Sequence, residues 1–194
     1  MSRIQEEIAV FHRKSFGFWV YLMTDCVLFA TLFAVYAVLQ SATAGGPSGA
    51  ELFDMPFVLV ETMLLLTSSF TVGLAYLAAE RGFKKQTIVW LVITFFLGAS
   101  FLAMELWEFN HLIAEGAGWQ TSAFLSSYFV LVGTHGLHIA VGLLWMGVVI
   151  FRLLQRNFKE SDVRRLSLLS LFWHFLDVIW IFIFSFVYLI GGMA

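Results

Sequence analysis

A small set of ionisable side chains stands inside long apolar runs of this chain, with spacings that acid–base or metal chemistry would use. His174 and Asp177 sit within Leu-Phe-Trp-His-Phe-Leu-Asp-Val-Ile-Trp-Ile-Phe, from Leu171 to Phe182. On a helix, positions three apart share a face, so the two point the same way. His135 and His138 repeat that spacing. Glu108-Phe-Asn-His111 is a Glu-x-x-His, which di-iron bundles use twice together with two further glutamates. Asp25, Glu61 and Glu105 complete the set. An ionisable group in a bilayer is costly and marks either function or a specific polar partner.

The elements that must position these groups are membrane helices. The chain has 194 residues, 60% of them hydrophobic and 12% charged, with a mean hydropathy of +0.88. That much apolar surface needs lipid as solvent. A net charge of −2 without a basic patch gives no footing for nucleic acid. The single cysteine, Cys26, excludes an internal disulfide and a multi-cysteine metal site. Five runs, approximately 16–39, 57–79, 87–112, 123–153 and 166–191, exceed the roughly 20 residues that cross a bilayer. The expected fold is all-α: residues 1–15 form a polar cytoplasmic lead, and residues 16–194 form one five-helix transmembrane bundle. The run 16–39 is too long for the core of a signal peptide and contains Asp25. Gly45-Gly46-Pro47 signals a turn, and Thr121 or Ser122 suits the N-cap of the fourth helix.

Topology follows from the cations. All eleven basic residues lie in the lead, the second connection or the fourth connection, from Arg3 to Arg165. These segments share one side of a five-span protein. The positive-inside rule then places the N-terminus in the cytoplasm and the C-terminus outside.

Depth along each helix, at about 1.5 Å per residue, sorts the ionisable groups into two clusters. Asp25, His135, His138, His174 and Asp177 fall in one buried layer, suited either to polar packing or to proton handling. Glu61, Glu105, Glu108 and His111 form a second cluster towards the outer face. Histidines three apart on one helix cannot supply opposite axial ligands to a haem, and only one Glu-x-x-His is present. No catalytic, cofactor-binding or metal residue is therefore assigned. Two alternatives remain beside a non-catalytic bundle. One is a free-standing proton-coupled membrane protein; the other is a membrane di-iron enzyme built on Glu61, Glu105, Glu108 and His111. Gly133, Gly136 and Ala140 form a small-residue stripe fit for close helix approach. Trp107 and Trp119 stand where an outer aromatic belt belongs.

Thr-His-Gly-Leu-His-Ile from Thr134 to Ile139, followed by Leu-Phe-Trp-His-Phe-Leu-Asp-Val-Ile-Trp from Leu171 to Trp180, resembles the paired signature of subunit III of haem–copper terminal oxidases. Asp25 in Met-Thr-Asp-Cys-Val-Leu-Phe, and Glu105 and Glu108 in Met-Glu-Leu-Trp-Glu, fall where that family has membrane carboxyls. The loop from Thr43 to Gly49 and the stretch from Met55 to Thr62 are similar to the ubiquinol-oxidising (cytochrome o) branch. Larger members have seven spans, and many have glutamate where Asp25 stands here. The resemblance implies a non-catalytic accessory subunit of a proton-pumping ubiquinol oxidase in a bacterial inner membrane. It would stabilise subunit I and aid proton uptake. Haems and copper would reside in subunit I, the main contact, with subunits II and IV and membrane lipids as further partners. A bound phospholipid is compatible with it. The neighbouring alternative is subunit III of a cytochrome c oxidase.

Overall fold

A computed structural model describes residues 3–46, 49–52, 54–156 and 158–191. Pro47 and Ser48, within the turn and loop read from the sequence, lie outside the described residues. The described chain is helical: α1 (Arg3–Leu39), the short α2 (Gly49–Leu52), α3 (Met55–Glu80), α4 (Lys84–Ala114), α5 (Ala123–Gln155) and α6 (Glu160–Ile183). A π-helical segment, Phe184–Ile190, continues α6. Five of these helices are long and apolar enough to cross a membrane, the first through Ser15–Leu39 and the last through Glu160–Ile190. Arg3 to Lys14 belongs to the same helix as the first apolar run, so the polar lead is its opening turns.

Helix ends follow local chemistry. Ser122 caps α5, its hydroxyl accepting from the Leu125 amide at 3.1 Å. Both α3 and α4 close with paired reverse bonds: Phe83 N to Ala78 O and Gly82 N to Ala79 O, then Ala117 N to Leu112 O and Gly116 N to Ile113 O. Gly82 (φ 76°) and Gly116 (φ 82°) take the left-handed position those closures require. At the opposite end of α5, Arg152 pairs with Asp162 at 3.1 Å and Lys84 donates to the Arg156 carbonyl at 2.8 Å. These contacts tie the α5–α6 connection to the start of α4.

The bundle packs α3 along α4 and α6, and α5 along α4, α6 and α1. The α6 indoles fill its centre. Trp173 and Trp180 are fully buried. Trp173 lies in a slot between Gly98 on α4 and Gly142 on α5, where a Cβ would stand 2.7 Å and 3.0 Å from the ring. Close approach thus requires glycine at Gly98 and leaves a tight fit at Gly142. Among the small residues of α5, Gly136 and Gly142 make the tight contacts. Ala140 instead lines a surface groove between α4 and α5.

Candidate functional site

The residues from Leu171 to Phe182 dock α6 on α3 through hydroxyls. Trp173 Nε1 donates to Ser68 Oγ at 2.9 Å, and Trp180 Nε1 donates to Thr62 Oγ1 at 3.0 Å. Seven residues of α6 run antiparallel to six of α3, so both indoles meet the same face. The neighbouring Ser69 hydroxyl bonds His174 Nδ1 at 2.6 Å and also reaches Asp177. His174 is exposed and Asp177 half-buried, while Asp177 Oδ1 is shielded without a hydrogen-bond partner. A shared direction for His174 and Asp177 was legible. The indole–hydroxyl row was not, because tryptophans in membrane spans are common as apolar mass.

The expected layer of five groups resolves into three places. Asp25 and His138 meet between α1 and α5, Oδ2 to Nε2 at 3.6 Å, both nearly shielded. Tyr21 reaches the same carboxyl. His138 Nδ1 donates to the Thr134 carbonyl at 2.7 Å, so a hydrogen bond to Asp25 needs a proton on one of the two facing atoms. His135 sits apart in the apolar centre, edge-on to Phe101 at 5.9 Å and tilted against Trp180 at 5.2 Å. Its Nε2 donates to the Leu176 carbonyl at 3.2 Å, and Nδ1 is buried without a partner. His174 and Asp177 join neither place; they lie on the α3 side of α6 with Ser69. The separation reflects helix rotation, since equal depth does not bring side chains onto facing sides.

The second expected cluster keeps its acids and loses its histidine. Glu61 and Glu105 are 0% and 1% exposed, and all four of their carboxyl oxygens lack a hydrogen-bond partner. Glu108 lies beside them, accepting from Tyr188 Oη at 3.2 Å, with Tyr128 Oη 2.9 Å from Tyr188 Oη. Glu105 presses on the backbone of Gly136, where a Cβ would stand 2.7 Å from Oε2. His111 turns outwards instead, pairing with Glu115 at 3.3 Å and stacking on Trp107 at 5.2 Å. Trp107 and Trp119 are both exposed, as an aromatic belt requires. Tyr188 is not legible in the sequence because the π segment that continues α6 places it. An uninterrupted α-helix would rotate it elsewhere.

These geometries define what the arrangement can do. The Glu-x-x-His is split, and among the described residues no group of three or more His, Cys, Asp or Glu side chains converges to hold a metal. Neither His135 nor His138 offers a free axial nitrogen beside an open cavity: one is packed among rings, the other faces a carboxylate. The arrangement supplies hydrogen bonds between helices, at Ser69–His174, His135–Leu176, the two indoles and Glu108–Tyr188.

Comparison with known proteins gives the family. The family described as cytochrome c oxidase subunit III matches residues 4–192. The chain is 59% identical over 178 residues to a cytochrome bo(3) ubiquinol oxidase subunit 3 of Pseudomonas aeruginosa, covering 92% of this chain and 85% of that one. It is 47% identical over 175 residues to a quinol oxidase subunit 3 of Bacillus subtilis, covering 90% and 86%. It is 49% identical over 179 residues to a cytochrome c oxidase subunit 3 of Bacillus sp. strain PS3, covering 92% and 86%.

Proposed function

The chain belongs to the cytochrome c oxidase subunit III family, and from that premise we propose that it is the non-catalytic third subunit of a proton-pumping ubiquinol oxidase. The observation that carries the reading is the 59% identity to the Pseudomonas aeruginosa ubiquinol oxidase subunit over 92% of this chain. The side chains support the non-catalytic part. His135, Trp173, His174 and Trp180 meet hydroxyls or a carbonyl of a neighbouring helix, in the manner of interhelical fasteners.

In this reading the redox centres belong to subunit I, against which the bundle packs and which it stabilises during turnover. Subunits II and IV complete the complex in a bacterial inner membrane. The N-terminus is cytoplasmic and the C-terminus outside, because Lys84, Arg152, Arg156 and Arg164 gather at one end of the bundle. Asp25, Tyr21 and His138 stand in the half of the membrane nearer that end and could pass protons towards subunit I.

Purification of the tagged chain in mild detergent tests the proposal. It should bring down a haem-bearing polytopic subunit, and the complex should oxidise ubiquinol in preference to reduced cytochrome c. A preparation that oxidises cytochrome c and not quinol would move the chain to the cytochrome c oxidase branch. A chain recovered alone, with flux or turnover of its own, would overturn the subunit reading.

A further inference from the structure

Three carboxyls and two phenols meet near one end of the bundle. Glu61 lies six residues into α3 and Glu108 six residues before the end of α4, each about 9 Å from its helix end. Glu105 is three residues deeper on α4. Tyr128 enters from α5 and Tyr188 from the π segment. Of the nearby histidines, His111 pairs outwards with Glu115, and His135 is turned to the Leu176 carbonyl. On α1, the Tyr36 hydroxyl bonds the Val187 carbonyl. All eleven lysines and arginines lie in the lead or in the connections at the opposite end. We propose that Glu61, Glu105 and Glu108 form a proton-binding site. It holds one proton on Glu61 and one on Glu105, carries its negative charge on Glu108, and exchanges protons with water past Asp54.

The hydroxyls decide which carboxyl is charged. Tyr188 Oη donates to Glu108 at 3.2 Å, and Tyr128 stands 2.9 Å from Tyr188 and reaches the same carboxyl. An ionised carboxyl only accepts, so phenol protons aimed at Glu108 suit the charge there. Glu61 and Glu105 have no such donor. They are 0% and 1% exposed, and none of their four oxygens has a hydrogen-bond partner. An ion placed so costs far more than a neutral acid, and each therefore keeps its proton. Both also lie close enough to Glu108 for its charge to act on them, so a second ion would meet like-charge repulsion. A metal ion does not fit in place of the protons, since among the described residues no three such side chains converge to hold one.

Access runs along Glu108. Asp54, just before α3, is exposed, and its charge acts on Glu108, itself 7% exposed. A proton arriving from water meets Asp54 first and Glu108 second. With it the three carboxyls hold three protons, and its return to water restores two. In the orientation proposed above, that water is on the outer side. The site itself rests neither on that orientation nor on the oxidase reading, and goes beyond both.

Infrared difference spectroscopy of the purified complex at neutral pH tests this. The haem spectrum is recorded first; a chain without a haem subunit fails the functional reading, and the infrared bands are judged separately. Subtracting Glu61→Gln or Glu105→Gln from the parent should each reveal one carboxylic-acid C=O band that moves in D2O. Glu108→Gln should reveal a lost carboxylate band instead. An acid band lost with Glu108→Gln, or only carboxylate bands lost with the other two, would overturn the assignment. Tyr128→Phe combined with Tyr188→Phe keeps all three acids and both rings but removes the donors. Glu108 should then take up a proton and add an acid band; unchanged acid bands would overturn the proposal as well. For access, the rate at which the acid bands shift on mixing into D2O should fall several-fold in Asp54→Asn. It should keep the parent value in Glu80→Gln, exposed at the other end of α3. Equal rates in all three proteins would overturn the route past Asp54.

Discussion

The carboxyl of Glu105 on α4 lies against the backbone of Gly136 on α5, so close that a methyl group on Gly136 would occupy the space of the carboxylate. Glu105 is 1% exposed and cannot swing into solvent. Gly136→Ala must therefore push α4 from α5 or drive the carboxyl into apolar neighbours. Overpacking of this kind costs about 1–3 kcal/mol. The purified complex should melt earlier and lose this subunit first. Combining the change with Glu105→Ala, which empties the contested space, should recover part of the loss.

A similar slot holds Trp173, with Gly98 on one side and Gly142 on the other. Here the neighbour is a rigid indole tied to Ser68, so relaxation is harder than at Glu105. Gly98→Val should prevent normal docking of α6, visible as loss of the chain from the membrane-assembled complex. Ser68→Ala removes only the acceptor and should cost about 0.6–2 kcal/mol, read from detergent-induced dissociation. Thr62→Val, at the second indole, should behave alike.

The five spans were legible because length and apolarity alone define a bilayer crossing, and because every cation falls in three segments on one side. The carboxyls and histidines were legible as residues that lipid would not tolerate. Their grouping was not. Depth can be counted from sequence, but rotation about each helix axis depends on which side chains interlock. Trp173 between two glycines sets that rotation for α6, turning His174 towards Ser69 and away from Asp25. The π segment resets it again before Tyr188.

His111 illustrates the consequence. The sequence groups it with Glu108 as a Glu-x-x-His, yet it faces outwards onto Trp107 and Glu115. His111→Ala should change stability by less than about 0.5 kcal/mol, as for other i,i+4 contacts on an exposed helix face. Glu108→Gln should be felt more strongly. Metal analysis of the isolated subunit should give the same content for both variants and the parent. A stoichiometric loss of iron in either variant would revive the di-iron alternative.

Tyr188 carries the last prediction. Its hydroxyl donates to Glu108 at 3.2 Å and contacts Tyr128 at 2.9 Å, in the part of the bundle where Glu61 and Glu105 have no hydrogen-bond partners. Tyr188→Phe keeps the ring, which packs 6.1 Å from Trp180, and removes the donor. Glu108 then loses a bond inside an apolar environment, a penalty of about 1–3 kcal/mol. Replacing Glu108 by Leu in the same chain removes the acceptor that suffers. The double variant should therefore melt above the sum expected from the two single changes, with a coupling of about 0.6–2 kcal/mol. Simple additivity would show that the contact is incidental, and that the π segment serves packing of the Tyr188 ring rather than placement of its hydroxyl.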